Sequence, residues 1–372
     1  PSAGTPYVDH QSAFLSIISL YLFILGIKTR SSIYWFFLPI MIVASFLTKQ
    51  TPTGHIFIII VALSLIYFVS DFNYKNFISG LLGSITIISI FFIVLFIGKI
   101  SFVSFYEQYI SFPMSLGKSR LEFLFPLEFK RIFLRFKLIH LVSIPLFIIL
   151  IIQIKKSIKF FYKSDFIIII SLIITSYALI AHQLMTINGL YIFFIIPILA
   201  GFSQIFYFDY FKKSNYLLIF LLFISFSSTL YYGYKYIHQR DFMDLRNANF
   251  EKSIDSKIFD KSLKNLKWIT PLEPKNPSRE VKDLLEVIKI IDDDKRKKII
   301  ISDYQFISVI LSTYDNSPSQ VWFGYHVNPE KDSEHYDSYK KFFINKIKDR
   351  DAKVVYIVKP LWGGDDIFTR VL

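Results

Sequence analysis

Asp9 and His10 set a carboxylate and an imidazole side by side at the mouth of an apolar run, Ala13–Ile27. The next run, Ile33–Leu47, closes on a second polar knot, Thr48-Lys49-Gln50-Thr51-Pro52. If both runs form helices in hairpin order, Asp9, His10 and Lys49 share one end. An ionisable residue at the mouth of a membrane helix can position a cation or a substrate hydroxyl. Asp is equally at home as an N-cap, where it stabilises a helix by about 1 kcal/mol. Lys49 can meet a phosphate as a point charge or reach to lipid headgroups. Gln50, Thr51 and His55 add donors beside it, which suits a phosphate better than an anchor. His182 stands in a third polar stretch, Ala181–Gly189, on the same expected end.

Those residues need a scaffold, and the apolar runs supply it. They are Ala13–Ile27, Ile33–Leu47, Ile56–Ser70, Phe77–Gly98, Leu138–Ile154, Phe166–Ala181, Leu190–Phe208 and Leu217–Tyr232. A bilayer-spanning helix takes about 20 apolar residues, so the pattern predicts about eight transmembrane helices. Backbone groups in lipid must bond within their own segment, so the architecture is a multi-pass α-helical bundle. Pro197, inside the seventh run, is expected to kink it.

Composition agrees. Hydrophobic residues make up 53% of the chain, and the mean hydropathy is positive. A net charge of +13 invites a nucleic-acid reading, but the cations are scattered over short loops rather than gathered on one basic face. No nucleic-acid partner is expected; membrane lipids are. With no cysteine in the chain, thiolate metal sites, thiol nucleophiles and disulfides are excluded.

Placing Asp9 outside the cytoplasm puts Lys28, Arg30, Lys75, Lys155, Lys156, Lys159, Lys163, Lys212 and Lys213 inside, as the positive-inside tendency asks. That orientation predicts a multi-pass plasma (inner) membrane protein. The long loop 99–137 is the exception, carrying Lys118, Arg120, Lys130, Arg131, Arg135 and Lys137 on the outer face. Its mixture of aromatics and cations suits an interfacial segment, apolar face down and basic face toward phosphates.

The character changes near Lys235. Residues 1–234 form the membrane region, and 235–372 read as a small α/β extracytoplasmic domain. Within it, a helix starts at Asn276-Pro277-Ser278 and continues through Arg279–Ile291 with three-to-four apolar spacing. Strands are expected at 298–302, 320–324 and 353–358, and helices at 304–312 and 336–348. Asp292-Asp293-Asp294 before Lys295-Arg296-Lys297-Lys298 reads as a solvated turn. No cluster of acidic or imidazole side chains has metal-ligand spacing, although Asp9 could hold a divalent cation.

In this order the features resemble the GT-C class of membrane glycosyltransferases that use polyprenyl-phosphate sugars, the aminoarabinose transferase and protein mannosyltransferase relatives. There an acidic residue at the outer mouth of a helix precedes two helices, the second ending in a Thr-Lys-Gly-Pro-like turn. Asp9 stands at the first place and Phe46–Pro52 at the second, with Gln50-Thr51 where the family has Gly. The resemblance implies an integral-membrane transferase moving sugar from a polyprenyl-phosphate donor to a lipid, glycan or protein acceptor on the outer face. It implies Asp9 and His10 as catalytic residues and Lys49, Gln50, His182 and Arg120 around the donor phosphate. The family's catalytic base lies on an outer loop that would precede Pro1, so this stretch by itself is expected to be inactive. A lipid-linked sugar flippase or other transporter, and a non-enzymatic membrane scaffold, are the competing readings.

Overall fold

A computed structural model describes residues 8–121, 128–186, 192–212, 215–235, 249–269, 275–313, 329 and 331–358, the side chains of 9, 117–121 and 186 excepted. The chain divides into two compact units, Pro1–Arg240 and Asp241–Leu372.

All the regular structure described in the first unit is helical. It runs α1 (Val8–Thr29), α2 (Ser32–Thr48), α3 (Gln50–Ser70), α4 (Tyr74–Ile97), α5 (Phe102–Phe105), a π-helical stretch Tyr106–Ser111, and α6 (Phe112–Leu121). After a second π turn at Lys130–Leu134 come α7 (Lys137–Lys156), α8 (Ser164–Thr186), α9 (Ile195–Phe211) and α10 (Asn215–Gly233). Six described helices, α1, α3, α4, α7, α8 and α10, are long and apolar enough to cross a membrane. The other two expected spans, α2 and α9, are apolar but have only 17 residues each, about 26 Å at 1.5 Å per residue. Pro197 falls in the first turn of α9, not in its interior. There its missing N–H would have had no intrahelical partner, so the expected kink is absent.

Helices α1 and α8 pack centrally: Phe23, Ile167, Ile168, Ile169 and Leu179 are fully buried. By contrast α4 and α10 turn long apolar faces outward, with Phe96 and Phe223 exposed by 83% and 69%. In water such faces would be costly; against lipid tails they are the natural surface.

Close backbone contact joins α2 to α4. Pro39 lies inside α2, and having no N–H it cannot bond the carbonyl of Trp35. The α4 glycines lie here: a methyl added at Gly80 would sit 3.8 Å from the Trp35 carbonyl oxygen, and one at Gly83 only 2.1 Å from that of Phe36. Small residues let two helices approach this closely.

In the second unit, β3 (Lys298–Ser302) pairs in parallel with β4 (Val354–Val358), Ile300 opposite Tyr356. A two-residue antiparallel pair joins β1 (Ile254–Asp255) to β2 (Lys267–Trp268). Alternation along β3 divides the core. Ile300 faces Val281, Leu284 and Ile291 of α11 (Pro277–Asp293) and Ile307 of α12 (Gln305–Ile310). Ile299 and Ile301 face Phe343 of α13 (Tyr336–Asp349). The expected strand at 320–324 lies outside the described residues.

The acidic turn after α11 is more than solvated. Arg296 grips the Asp294 carboxylate through Nε and its terminal amine (2.7 Å), and the Tyr356 hydroxyl of β4 donates to it at 2.6 Å. Lys298 Nζ donates to the carbonyls of Ile291 and Asp294, satisfying the end of α11. The hydrogen bonds from Arg296 and Tyr356 hold the Asp294 carboxyl well below its ordinary range. Lys353 and Lys297 do the same for Asp351. Depressed folded-state values mean stability that is complete above the usual carboxylate range, near pH 4, and lost as the pH falls below it. Urea midpoints read by tryptophan fluorescence, with Trp268, Trp322 and Trp362 in this unit, should therefore drop between pH 7 and pH 3. Asp294→Asn should be less stable at pH 7 and lose less on acidification. An acid limb as steep as wild type in that variant would reject the assignment.

Candidate functional site

At the α2–α3 junction Lys49 is fully extended (φ −160°, ψ 134°), and Thr51 is again non-helical (φ −119°, ψ 137°) before a cis bond to Pro52. The helix proper resumes after this proline, whose ring suits a first turn. Gln50 is thus held on a corner between two extended residues.

A buried knot of hydroxyls fixes that corner. Ser12 and Ser16 lie one turn apart on α1, Ser45 on α2 and Thr53 on α3, each at most 1% exposed. Thr53 Oγ1 is 2.7 Å from both Ser12 Oγ and Ser45 Oγ, and Ser16 Oγ is 2.9 Å from Ser45 Oγ. Ser45 donates to the Ser12 carbonyl at 2.8 Å, and Ser12 Oγ reaches the Lys49 carbonyl at 3.3 Å. Hydroxyls both donate and accept, so the four satisfy one another and lock three helix ends together without a buried charge.

Loop 99–137 is tied to the same corner. Gln50 donates through its side-chain amide to the Tyr109 carbonyl at 2.8 Å, and the Tyr109 hydroxyl donates to the Phe46 carbonyl at 2.8 Å. Phe105 stacks on Tyr109 with ring centroids 5.1 Å apart.

From the other side comes α8. His182, 2% exposed, lies within electrostatic reach of half-buried His55 on α3. Among the described residues the buried Nδ1 of His55 and Oε1 of Gln183 have no hydrogen-bond partner. Two imidazoles and an amide in an apolar setting can hold or pass a proton or donate to an anion.

The structure thus gathers the start of α1 with His10, the Lys49–Gln50 corner, and the end of α8 with His182 at one end of the bundle. Asp9 lies in the first turn of α1 and Arg120 in α6, with side chains outside the described residues. Among the described residues no group of three or more His, Asp or Glu could hold a metal ion.

The opposite end is ionic and paired. Lys28 bridges to Asp165 at 2.7 Å, Arg30 to Asp71 at 2.6 Å, and Tyr210 donates to Asp165 at 2.8 Å. The two ion pairs are solvent-exposed and each contributes under about 1 kcal/mol.

A cavity of about 640 Å³ opens where α7 begins and α10 ends. None of the six candidate residues named from the sequence is among its described lining. Its cations, Arg135, Lys137 and Lys235, are separated by up to a hundred positions, and nothing in their spacing announces a shared site.

Compared with family models, with curated proteins and with solved structures, the chain finds no match.

Proposed function

We propose that this is an integral-membrane glycosyltransferase that moves a sugar from a polyprenyl-phosphate donor to a lipid, glycan or protein acceptor on the outer membrane face. In this reading α2 and α9 also span, making eight transmembrane helices, and the α/β unit is extracytoplasmic. The observation that carries it is the convergence of the α1 mouth, the Lys49 corner and the end of α8. It gives a phosphorylated lipid a cation, amide donors and imidazoles at the level where its headgroup would sit. Lys49 neutralises the phosphate as the glycosidic bond to it breaks, with Gln50, His182 and Arg120 as further donors. Asp9 orients the acceptor or the sugar, and His10 relays a proton.

Orientation follows the cations. Lys28, Arg30, Lys75, Lys155, Lys156, Lys159, Lys163 and Lys212 belong to the paired end or the loops joined to it, which this reading places in the cytoplasm. Single cysteines introduced into the cysteine-free chain test it. Positions 10, 50 and 106 should react with a membrane-impermeant maleimide from outside, and positions 30, 75 and 159 only after permeabilisation. Labelling of 10 and 50 from opposite sides would end the proposal. The direct test is transfer from a labelled polyprenyl-phosphate sugar by membranes carrying the full-length protein; transfer no higher than in control membranes rejects the activity.

A further inference from the structure

We propose that Tyr109, on the π-helical stretch of loop 99–137, is a positioning residue: it clamps the Lys49–Gln50 corner in the shape that presents both side chains to the donor phosphate. The inference rests on the transferase reading and adds to it a residue that acts through Gln50.

The clamp answers two backbone carbonyls that their own helices leave without a donor. In α2 the last helical bond runs from the Lys49 amide to the Ser45 carbonyl at 3.1 Å. Gln50, four positions after Phe46, is carried out of that ladder by the extended backbone of Lys49. The Phe46 carbonyl therefore falls among the orphan acceptors of a helix end, and the Tyr109 hydroxyl donates to it at 2.8 Å. On the loop side, the residue four positions after Tyr109 is Pro113, in the first turn of α6, which has no N–H to give. The Tyr109 carbonyl takes the Gln50 side-chain amide instead, again at 2.8 Å. Corner and loop satisfy each other's open acceptors.

Rings fix where Tyr109 stands. It meets Phe46 edge-on with centroids 6.0 Å apart and stacks on Phe105 at 5.1 Å. Phe105 in turn lies 4.9 Å from Phe91 of α4, so a chain of rings runs from α2 through the loop to α4.

A side-chain amide has two N–H donors. Committing one to Tyr109 orients the Gln50 amide and leaves the other for a phosphate oxygen. Donors aimed at developing charge act only when held in place beforehand. The attraction of the Lys49 ammonium for a phosphate survives a small shift; a directional hydrogen bond does not. Loss of the clamp should therefore slow the reaction more than it weakens donor binding.

The test is initial-rate transfer from a labelled polyprenyl-phosphate sugar in membranes carrying the full-length protein. Tyr109→Phe removes one hydroxyl and keeps the ring and the carbonyl. It should lower kcat on the order of tenfold and leave the donor KM within about twofold. Hydrogen exchange across residues 46–52 should quicken in the same variant. Pro113→Ala supplies an amide to the Tyr109 carbonyl and favours helix. It should melt no lower than the unmodified protein and still lose kcat, a split that a merely structural proline would not give. Gln50→Ala combined with Tyr109→Phe should cost no more than the larger of the two alone, because both break one unit. Full kcat in Tyr109→Phe or Pro113→Ala, unchanged exchange in Tyr109→Phe, or additive losses in the double variant overturns the inference while the unmodified protein transfers sugar. Transfer by the unmodified protein no higher than in control membranes rejects the transferase reading, and this inference with it.

Discussion

Lys49→Ala should lower sugar transfer from a polyprenyl-phosphate donor by about 10²–10³-fold while leaving membrane insertion unchanged. The size follows from the role: removing one preorganised group that stabilises charge developing in the transition state typically costs that much in rate. Insertion should survive because Lys49 holds its corner through backbone. Its amide bonds the Ser45 carbonyl at 3.1 Å and its own carbonyl meets Ser12, neither of which needs the ammonium. Lys49→Arg should recover part of the rate, since it restores the charge but not its position. The assay is initial-rate transfer in membranes carrying the full-length protein, with each variant's abundance and single-cysteine labelling pattern as controls. Wild-type transfer by Lys49→Ala would remove the leaving-group role; loss of transfer together with lost insertion would show the residue to be structural.

The largest structural effect is expected at Gly83. A single methyl there would lie 2.1 Å from the Phe36 carbonyl oxygen and 2.9 Å from its carbon. Backbone cannot swing aside as a side-chain tip can, so Gly83→Ala must push α4 away from α2, at roughly 3 kcal/mol or more. Gly201 on α9 is the matched control, with nothing within 4 Å of an added methyl. Gly201→Ala should be neutral or stabilise the helix by up to about 1 kcal/mol. Thermal unfolding of the two variants in one detergent distinguishes them. Equal melting temperatures would mean that α2 and α4 are not in backbone contact.

How far these features could be read from the chain differs by type. Helical character in the first unit was legible because long apolar runs leave the backbone no other way to bond itself in lipid. In the second unit, the three-to-four spacing of Val281, Leu284, Leu285, Ile288 and Ile291 announced α11, and the run Ile299–Ile301 announced β3. Less legible were helix lengths: Ile33–Leu47 and Leu190–Phe208 read like the other runs, yet α2 and α9 have only 17 residues. Pro197 reads as a kink in a run that begins at Leu190, but α9 begins at Ile195, which puts the proline in its first turn. The hydroxyl knot left one faint sign, Ser12 and Ser16 four apart on one face of α1. The Asp294–Tyr356 bond spans 62 positions and left none.

Composition and periodicity determine, from the sequence alone, that this chain makes apolar helices followed by a mixed α/β stretch, because burial of apolar surface and backbone hydrogen bonding are satisfied locally. They also mark Asp9, Lys49 and His182 as polar residues at the ends of such helices. Only the tertiary structure decides which ends meet. Ser12 hydrogen-bonds to Lys49, 37 positions away, and His55 comes within electrostatic reach of His182, 127 positions away. Arg135, Lys137 and Lys235 face one cavity for the same reason. Helix packing sets those distances through the fit of many side chains at once, and no short stretch of sequence carries that fit.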